Sequence, residues 1–237
     1  MGFFGFTDNE IADLVGSYFY TIEEIITRAY EDLSHEDNMV GALQVLLTNK
    51  AIVYQVRDSF REKGYDFDVE FRDVAEFRVV RERAEKVTGV DFSILLKIYT
   101  HPIQQIDSFQ DVGFFARNHI RKSIVVQSKN LRTRYGNQVR LDQLRKMLHI
   151  TENGGIVFFF SKNGIEVVSA NDLVSGGIVN HSSIPRRIKY DFTNFMYNFL
   201  ETNVGDHDPR LYSAIEEGRL SSYFKYTIKP SDLRVNQ

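Results

Sequence analysis

The spacing of apolar residues in the first quarter of the chain is typical of amphipathic helices. The clearest helical stripe comprises Ile22, Ile25, Ile26, Ala29, Tyr30 and Leu33. Thr7 with Glu10, and Thr21 with Glu24, have the spacing of a capping box, which predicts two helix starts. A further apolar stripe predicts one long helix that begins after Asp37 and Asn38 and ends at Gly64.

From Tyr65 to Arg72 the apolar period shortens to two, which predicts a half-buried strand. Asn163-Gly164 lies between two apolar runs and accepts positive φ, so it predicts a β-hairpin with a type I′ turn. Further strands are predicted at 124–127 and 224–228, whereas residues 92–99 fit either element. Helices are predicted at 73–87 and 141–148, from Pro185 to residue 200, and after Asp208-Pro209.

These elements predict an α+β fold with a helix-rich N-terminal half and a C-terminal half that mixes a β-hairpin with helices. Residues 1–115 form a mainly helical region with one amphipathic strand, and residues 116–237 form a mixed α/β region. One continuous domain is the alternative, because no linker or repeat separates the two regions.

Composition excludes several kinds of chemistry. The 237 residues include no cysteine, which rules out disulfides, thiolate catalysis and iron–sulfur clusters. Glycine-rich phosphate loops are missing from the sequence, so no cofactor is predicted. The longest apolar run, residues 154–160, is far below the roughly 20 residues of a membrane span. We therefore expect a soluble protein, located in the cytoplasm or in a particle assembled there.

Charge is segregated along the chain. Residues 1–100 contain 19 acidic and 11 basic residues, whereas residues 117–146 contain nine basic residues and only Asp142 as an acid. Three interpretations of this segment compete: it tracks a nucleic-acid backbone, it meets an acidic protein surface, or it is neutralised by the acidic helices of its own chain. The candidate nucleic-acid or partner-binding residues are Arg117, Arg121, Lys122, Lys129, Arg132, Arg134, Tyr135 and Arg140.

Two groups of side chains are candidate metal ligands. Asp66, Asp68 and Glu70 share one face of the predicted strand, and their carboxylates suit Mg²⁺ or Mn²⁺. Asp206, His207 and Asp208 form the densest second group. Simpler interpretations exist for both groups: charged residues cover the exposed face of many strands, and Asp208 before Pro209 has the pattern of a helix N-cap.

The sequence favours a non-catalytic structural or assembly subunit, of a virion or another complex, that acts by docking on copies of itself or on other proteins. Abundant aromatic residues and complementary charged segments support this hypothesis. The alternative is a nucleic-acid-binding protein or a metal-dependent nuclease that uses the basic segment 117–146. An enzyme that acts on a small molecule is the third interpretation.

Overall fold

Seven strands form one mixed sheet in the computed structural model, which describes residues 9–33, 36–72, 87–99, 119–201 and 204–231. The spatial order is β1-β7-β2-β3-β4-β5-β6, in which β7–β2 and β3–β4 are parallel and the other pairs antiparallel. The strands are β1 (Tyr65–Arg72), β2 (Phe92–Tyr99), β3 (His119–Asn130), β4 (Gly155–Ser161), β5 (Gly164–Ser169), β6 (Tyr190–Asp191) and β7 (Tyr223–Pro230).

Helices cover both faces of this sheet, and each face has its own apolar core. The first core contains Phe19, Phe67, Ile124 and Phe158, and the second contains Leu95, Val125 and Phe159. In the described part of the chain the α-helices are α1 (Asn9–Ala29), α2 (Glu36–Leu47), α3 (Lys50–Glu62), α4 (Leu141–Leu148), α5 (Ala170–Ser175), α6 (Phe192–Leu200) and α7 (Pro209–Glu216). Helices α1, α2, α3 and α6 pack on the first face, and α4, α5 and α7 on the second.

The α+β class is confirmed, and the N-terminal part is rich in helix as expected. The predicted strands at 65–72, 124–127 and 224–228, the hairpin, the helix at 141–148 and the Asp208-capped helix are all present. Strand β7 lies between β1 and β2, so both halves of the chain contribute to one sheet. No helix in the described ranges is both long and apolar enough to cross a membrane.

Two predicted helix starts are wrong. Thr21 lies inside α1, where its hydroxyl donates to the Ser17 carbonyl at 2.8 Å, instead of capping a new helix. Pro185 precedes a short 3₁₀ turn, and α6 begins only at Phe192, after the N-cap Asp191. Tertiary pairing explains the second error, because residues 190–191 form the edge strand β6 on β5.

Two further predictions need correction. The single helix between residues 37 and 64 is divided into α2 and α3, because Asn49 accepts a hydrogen bond from the Ala51 amide as an N-cap. In the hairpin, Ser161 pairs with Gly164, so the two loop residues are Lys162 and Asn163, one position earlier than predicted. Residues 92–99, ambiguous in sequence, form strand β2. The Thr7–Glu10 capping box and most of the predicted 73–87 helix lie outside the described residues.

Candidate functional site at the end of strand β3

Asp91, Gln127 and Lys129 occupy neighbouring backbone positions near the C-terminal end of β3. Asp91 directly precedes β2, and its backbone amide donates to the Val126 carbonyl at 2.9 Å. Its Oδ2 accepts hydrogen bonds from the backbone amide and the hydroxyl of Ser128, both at 2.6 Å. The Asp91 carboxylate is therefore fixed beside β3, next to the backbone that links Gln127 to Lys129.

Gln127 is an unusual residue for a buried strand. Its side chain alternates with Val126 and therefore leaves β3 on the face of the second core, as that of Lys129 does. Gln127 is 1% exposed, yet its Oε1 has no hydrogen-bond partner among the described residues. A buried polar atom without a partner costs about 1–3 kcal/mol, a cost that binding of a cation or a donor would remove.

These groups suit a small divalent cation and a phosphate. Carboxylate and amide oxygens are hard ligands, and Mg²⁺ often takes only one or two carboxylates and completes its shell with water and substrate oxygens. Among the described residues no three His, Asp or Glu side chains converge, so the amide of Gln127 is essential to this interpretation. Lys129 adds an amine that is able to bind phosphate oxygens or to orient water.

A second polar cluster lies on the same face two strands away. The sheet register places Lys129 opposite Phe159, and Phe159 opposite Glu166, which puts Glu166 about 10 Å from Lys129. Glu166 Oε2 binds His181 Nε2 at 2.5 Å and Lys189 Nζ at 2.8 Å. Partial burial raises the pKa of Glu166, but the bonds from Lys189 and His181 outweigh burial and hold that pKa below its usual value.

Two paired loops extend this end of the sheet. Loop 131–140 follows β3, and the Val139 amide donates to the Val179 carbonyl at 2.9 Å. The His181 amide donates to the Asn137 carbonyl at 2.8 Å, which joins the loop to residues 178–189. We call four exposed arginines of these two loops the basic loop surface: Arg134, Arg140, Arg186 and Arg187.

The predicted basic residues do not form one surface. Arg121 and Lys122 lie at the start of β3, and as neighbours in a strand they point to opposite faces. Lys122 is fully buried, with Nζ donating to the Val204 carbonyl at 2.7 Å and lying 4.9 Å from the Phe199 ring centre. Burial lowers its pKa to about 7. Lys122 is therefore part of the interior. Arg117 lies outside the described residues.

The other predicted basic residues lie in loop 131–140, which follows β3. Arg132 donates to the backbone carbonyl of Glu31 and approaches its carboxylate at 3.4 Å. Arg140 binds Asp142 at 2.9 Å. Arg134 lies 5.4 Å from the ring centre of Tyr135, which is 62% exposed. The chain's own acids thus neutralise part of the segment, and Arg134 and Tyr135 remain at the surface.

The two predicted acidic groups lie apart. Asp66 and Asp68 are on the edge strand β1, where they bind Arg61 at 3.4 Å and Arg57 at 2.5 Å, and Glu70 on the same strand is exposed. The other group lies beside β3, because Asp206 forms a bridge with Ser123. Strands β7 and β2 separate β3 from β1. The described structure therefore does not bring the two groups together.

Within the second group, each residue has a different environment. Asp206 is buried and accepts hydrogen bonds from Thr151 Oγ1 at 2.7 Å and from the amides of Glu152 and Asp208 at 2.9 and 2.8 Å. Burial opposes ionisation, but these bonds keep the pKa of Asp206 below its usual value. Asp208 caps α7. His207 is exposed at a cavity of about 560 Å³ whose lining residues include no lysine or arginine.

Sequence reasoning missed Asp91, Gln127 and the Glu166 cluster. One signal was present in the sequence. Gln127 is an amide residue that directly follows the apolar run Ile124–Val126 within a predicted strand. The contact with Asp91 depends on the pairing of β2 with β3, which residue spacing does not reveal. No protein family matches this chain, and neither a curated protein nor a solved structure is significantly similar to it.

Proposed function

We propose that this protein is a metal-dependent phosphodiesterase that acts on nucleic acid. One observation carries the proposal: the Asp91 carboxylate accepts hydrogen bonds from the amide and hydroxyl of Ser128, the residue between Lys129 and Gln127, and the buried Gln127 oxygen has no partner among the described residues. This combination supplies two hard oxygen ligands and one cation on adjacent strands, which is what phosphate-ester hydrolysis requires.

In the proposed reaction, Asp91 and Gln127 would hold a divalent cation, which would polarise the phosphate and lower the pKa of a bound water. Lys129 binds a phosphate oxygen and stabilises the negative charge that develops during attack. Water adds to phosphorus, the bond from phosphorus to the leaving sugar oxygen breaks, and this oxygen takes up a proton. The products are one phosphomonoester and one alcohol.

Nucleic acid is the proposed substrate because of the charge around this site. The basic loop surface contains four exposed arginines, of which Arg140 binds Asp142, on the two paired loops that extend this end of the sheet. Arginines bind phosphate oxygens in a bidentate manner, and a row of cations is the usual electrostatic footprint of a nucleic-acid-binding surface. A small phosphate ester would not need cations spread over two loops.

The test measures cleavage of labelled DNA and RNA with Mg²⁺, Mn²⁺ or EDTA, and metal binding by calorimetry with Mn²⁺. We expect Asp91→Asn to reduce cleavage by at least about 100-fold and to weaken Mn²⁺ binding. Asp58→Asn, which changes an exposed carboxylate on α3, is the matched control. The same cleavage by wild type and Asp91→Asn, or no metal-dependent cleavage of any substrate, would refute the proposal.

The assembly role predicted from the sequence stays a second proposal. Its support is the outer edge of β1, where eight residues pair with β7 on one side only within the described chain. A free strand edge is able to pair with a second copy, although the charges of Asp66, Asp68 and Glu70 oppose close pairing. Light scattering over a concentration series tests this role, and a monomer at all concentrations would contradict self-association.

A further inference from the structure

Four polar residues form a compact block where β2 ends and β3 begins, remote from Lys129. The register places Lys97 directly opposite Arg121, and Tyr99 directly opposite His119. All four alternate with residues of the first core, so their side chains share the face of the second core. We call these residues the far-end cluster. Eight residues along β3, or about 27 Å, separate Arg121 from Lys129.

The far-end cluster concentrates positive charge. Like charges directly opposite each other in a sheet are destabilising, and Lys97 and Arg121 have this arrangement. His119 adds a third basic group, whose pKa is lowered by burial and by the charges of Arg121 and Lys97. Among the described residues no acid forms an ion pair with any of the three, and the nearby Glu216 binds Lys225 at 2.6 Å.

Buried groups without partners lie beside these charges. Tyr212 of α7 is 1% exposed, and its hydroxyl has no hydrogen-bond partner in the described part of the chain. The Arg121 guanidinium lies 5.6 Å from the Tyr212 ring centre, and its buried Nε likewise has no partner there. Unpaired buried donors are costly, so a ligand that accepts hydrogen bonds and carries negative charge would relieve both defects.

We infer that the far-end cluster binds a phosphate group, held by Lys97, Arg121 and His119, with the Tyr212 hydroxyl as a further donor. Three cationic or neutral nitrogen donors and one hydroxyl suit the several oxygens of a phosphate better than the two of a carboxylate. The phosphate belongs either to a free nucleotide or to a nucleic-acid strand, and both present the same group. This inference does not depend on the metal site proposed above.

The test uses the full chain and isothermal titration with inorganic phosphate, a nucleoside monophosphate, and a 5′-phosphorylated oligonucleotide in EDTA. We expect phosphate binding that chloride at equal ionic strength does not reproduce. Lys97→Gln should weaken phosphate binding about tenfold, as loss of one charge-assisted hydrogen bond predicts. The matched control is Lys162→Gln, an exposed lysine in the hairpin loop, which should leave the affinity unchanged.

Lys97→Gln should also raise the melting temperature of the ligand-free protein, because it removes the repulsion from Arg121. If the oligonucleotide binds more tightly than the nucleotide, the site exists and its phosphate belongs to a nucleic-acid strand. If the nucleotide binds more tightly, the site exists and its ligand is a free nucleotide. Absence of phosphate binding, or equal losses in Lys97→Gln and Lys162→Gln, would overturn the inference. Cleavage activity enters none of these readouts, so failure here is separable from failure of the proposed function.

Discussion

Replacement of Lys122 by Met should make the protein more stable at neutral pH and remove a pH dependence. The Lys122 side chain is fully buried between Val204 and Phe199, and burial lowers its pKa from 10.5 to about 7. Between these two pKa values the unfolded chain binds a proton that the native protein does not. Stability therefore rises with pH across this window, and the cost of burying the amine is fully present below pH 7.

The magnitude follows from the two pKa values. One pKa unit corresponds to about 1.4 kcal/mol, so from pH 7 to pH 9 the wild-type protein should gain about 2 kcal/mol of unfolding free energy. Lys122→Met should be flat over this range. At pH 7 the variant avoids a cost of about 4 kcal/mol. The substitution also leaves the Val204 carbonyl without its donor, which costs about 1–3 kcal/mol. The unfolding free energy should therefore increase by about 1–3 kcal/mol in total.

Urea unfolding followed by far-UV circular dichroism at pH 7, 8 and 9 measures this effect. The window is favourable because the chain contains no cysteine to titrate there. Lys162→Met, in the exposed hairpin loop, is the control and should keep the wild-type slope. A wild-type protein whose stability is constant from pH 7 to 9, or a Lys122→Met variant with an unchanged slope, would refute the reasoning.

Three further substitutions test local features, with urea midpoints as the measurement. Asp206→Asn should lower stability by about 1–3 kcal/mol at pH 7, and less below pH 4, because the lowered pKa of this carboxyl confers stability that is lost as pH falls through it. Asn49→Ala should cost about 1 kcal/mol through loss of the α3 cap. Gly164→Ala should lower the unfolding free energy by about 1–3 kcal/mol, since φ is +123° and the new Cβ would lie 2.6 Å from Glu23 Oε1. An unchanged urea midpoint in any of the three variants would contradict the explanation given for that variant.

The elements predicted correctly are those whose pattern is local. Strand β1 alternates in polarity over eight residues, and α7 begins with Asp208-Pro209, a cap and a first-turn residue in direct succession. The errors arise where a tertiary contact competes with the local signal. Pro185 has the pattern of a helix start, but pairing of Asp191 with Glu166 extends the chain before α6 begins.

The candidate site was harder to predict for the same reason. Lys129 was selected because of its charge, but its neighbours Asp91 and Gln127 come from a pairing of strands that residue spacing does not encode. Charge counting also grouped Arg121 with Lys122, although adjacent strand residues face opposite sides of a sheet. The basic residues are therefore close together in the sequence, but the fold places one part of them at each end of β3.

Strand β3 contains three residues that are unusual for a buried strand: Lys122, Gln127 and Arg121. Whether the chain itself supplies each side chain with a hydrogen-bond partner distinguishes a structural role from a ligand-binding role. Lys122 is buried, but its amine is satisfied by the Val204 carbonyl and the Phe199 ring, so the chain itself completes its environment. Gln127 Oε1 and Arg121 Nε are also buried and, like Ser123 Oγ on the same strand, have no hydrogen-bond partner among the described residues. Since natural folds satisfy nearly all buried polar atoms, such exceptions are expected where a ligand binds. Six residues, or about 20 Å, separate Gln127 from Arg121 on one face of the strand, which is why we assign these two residues to independent sites.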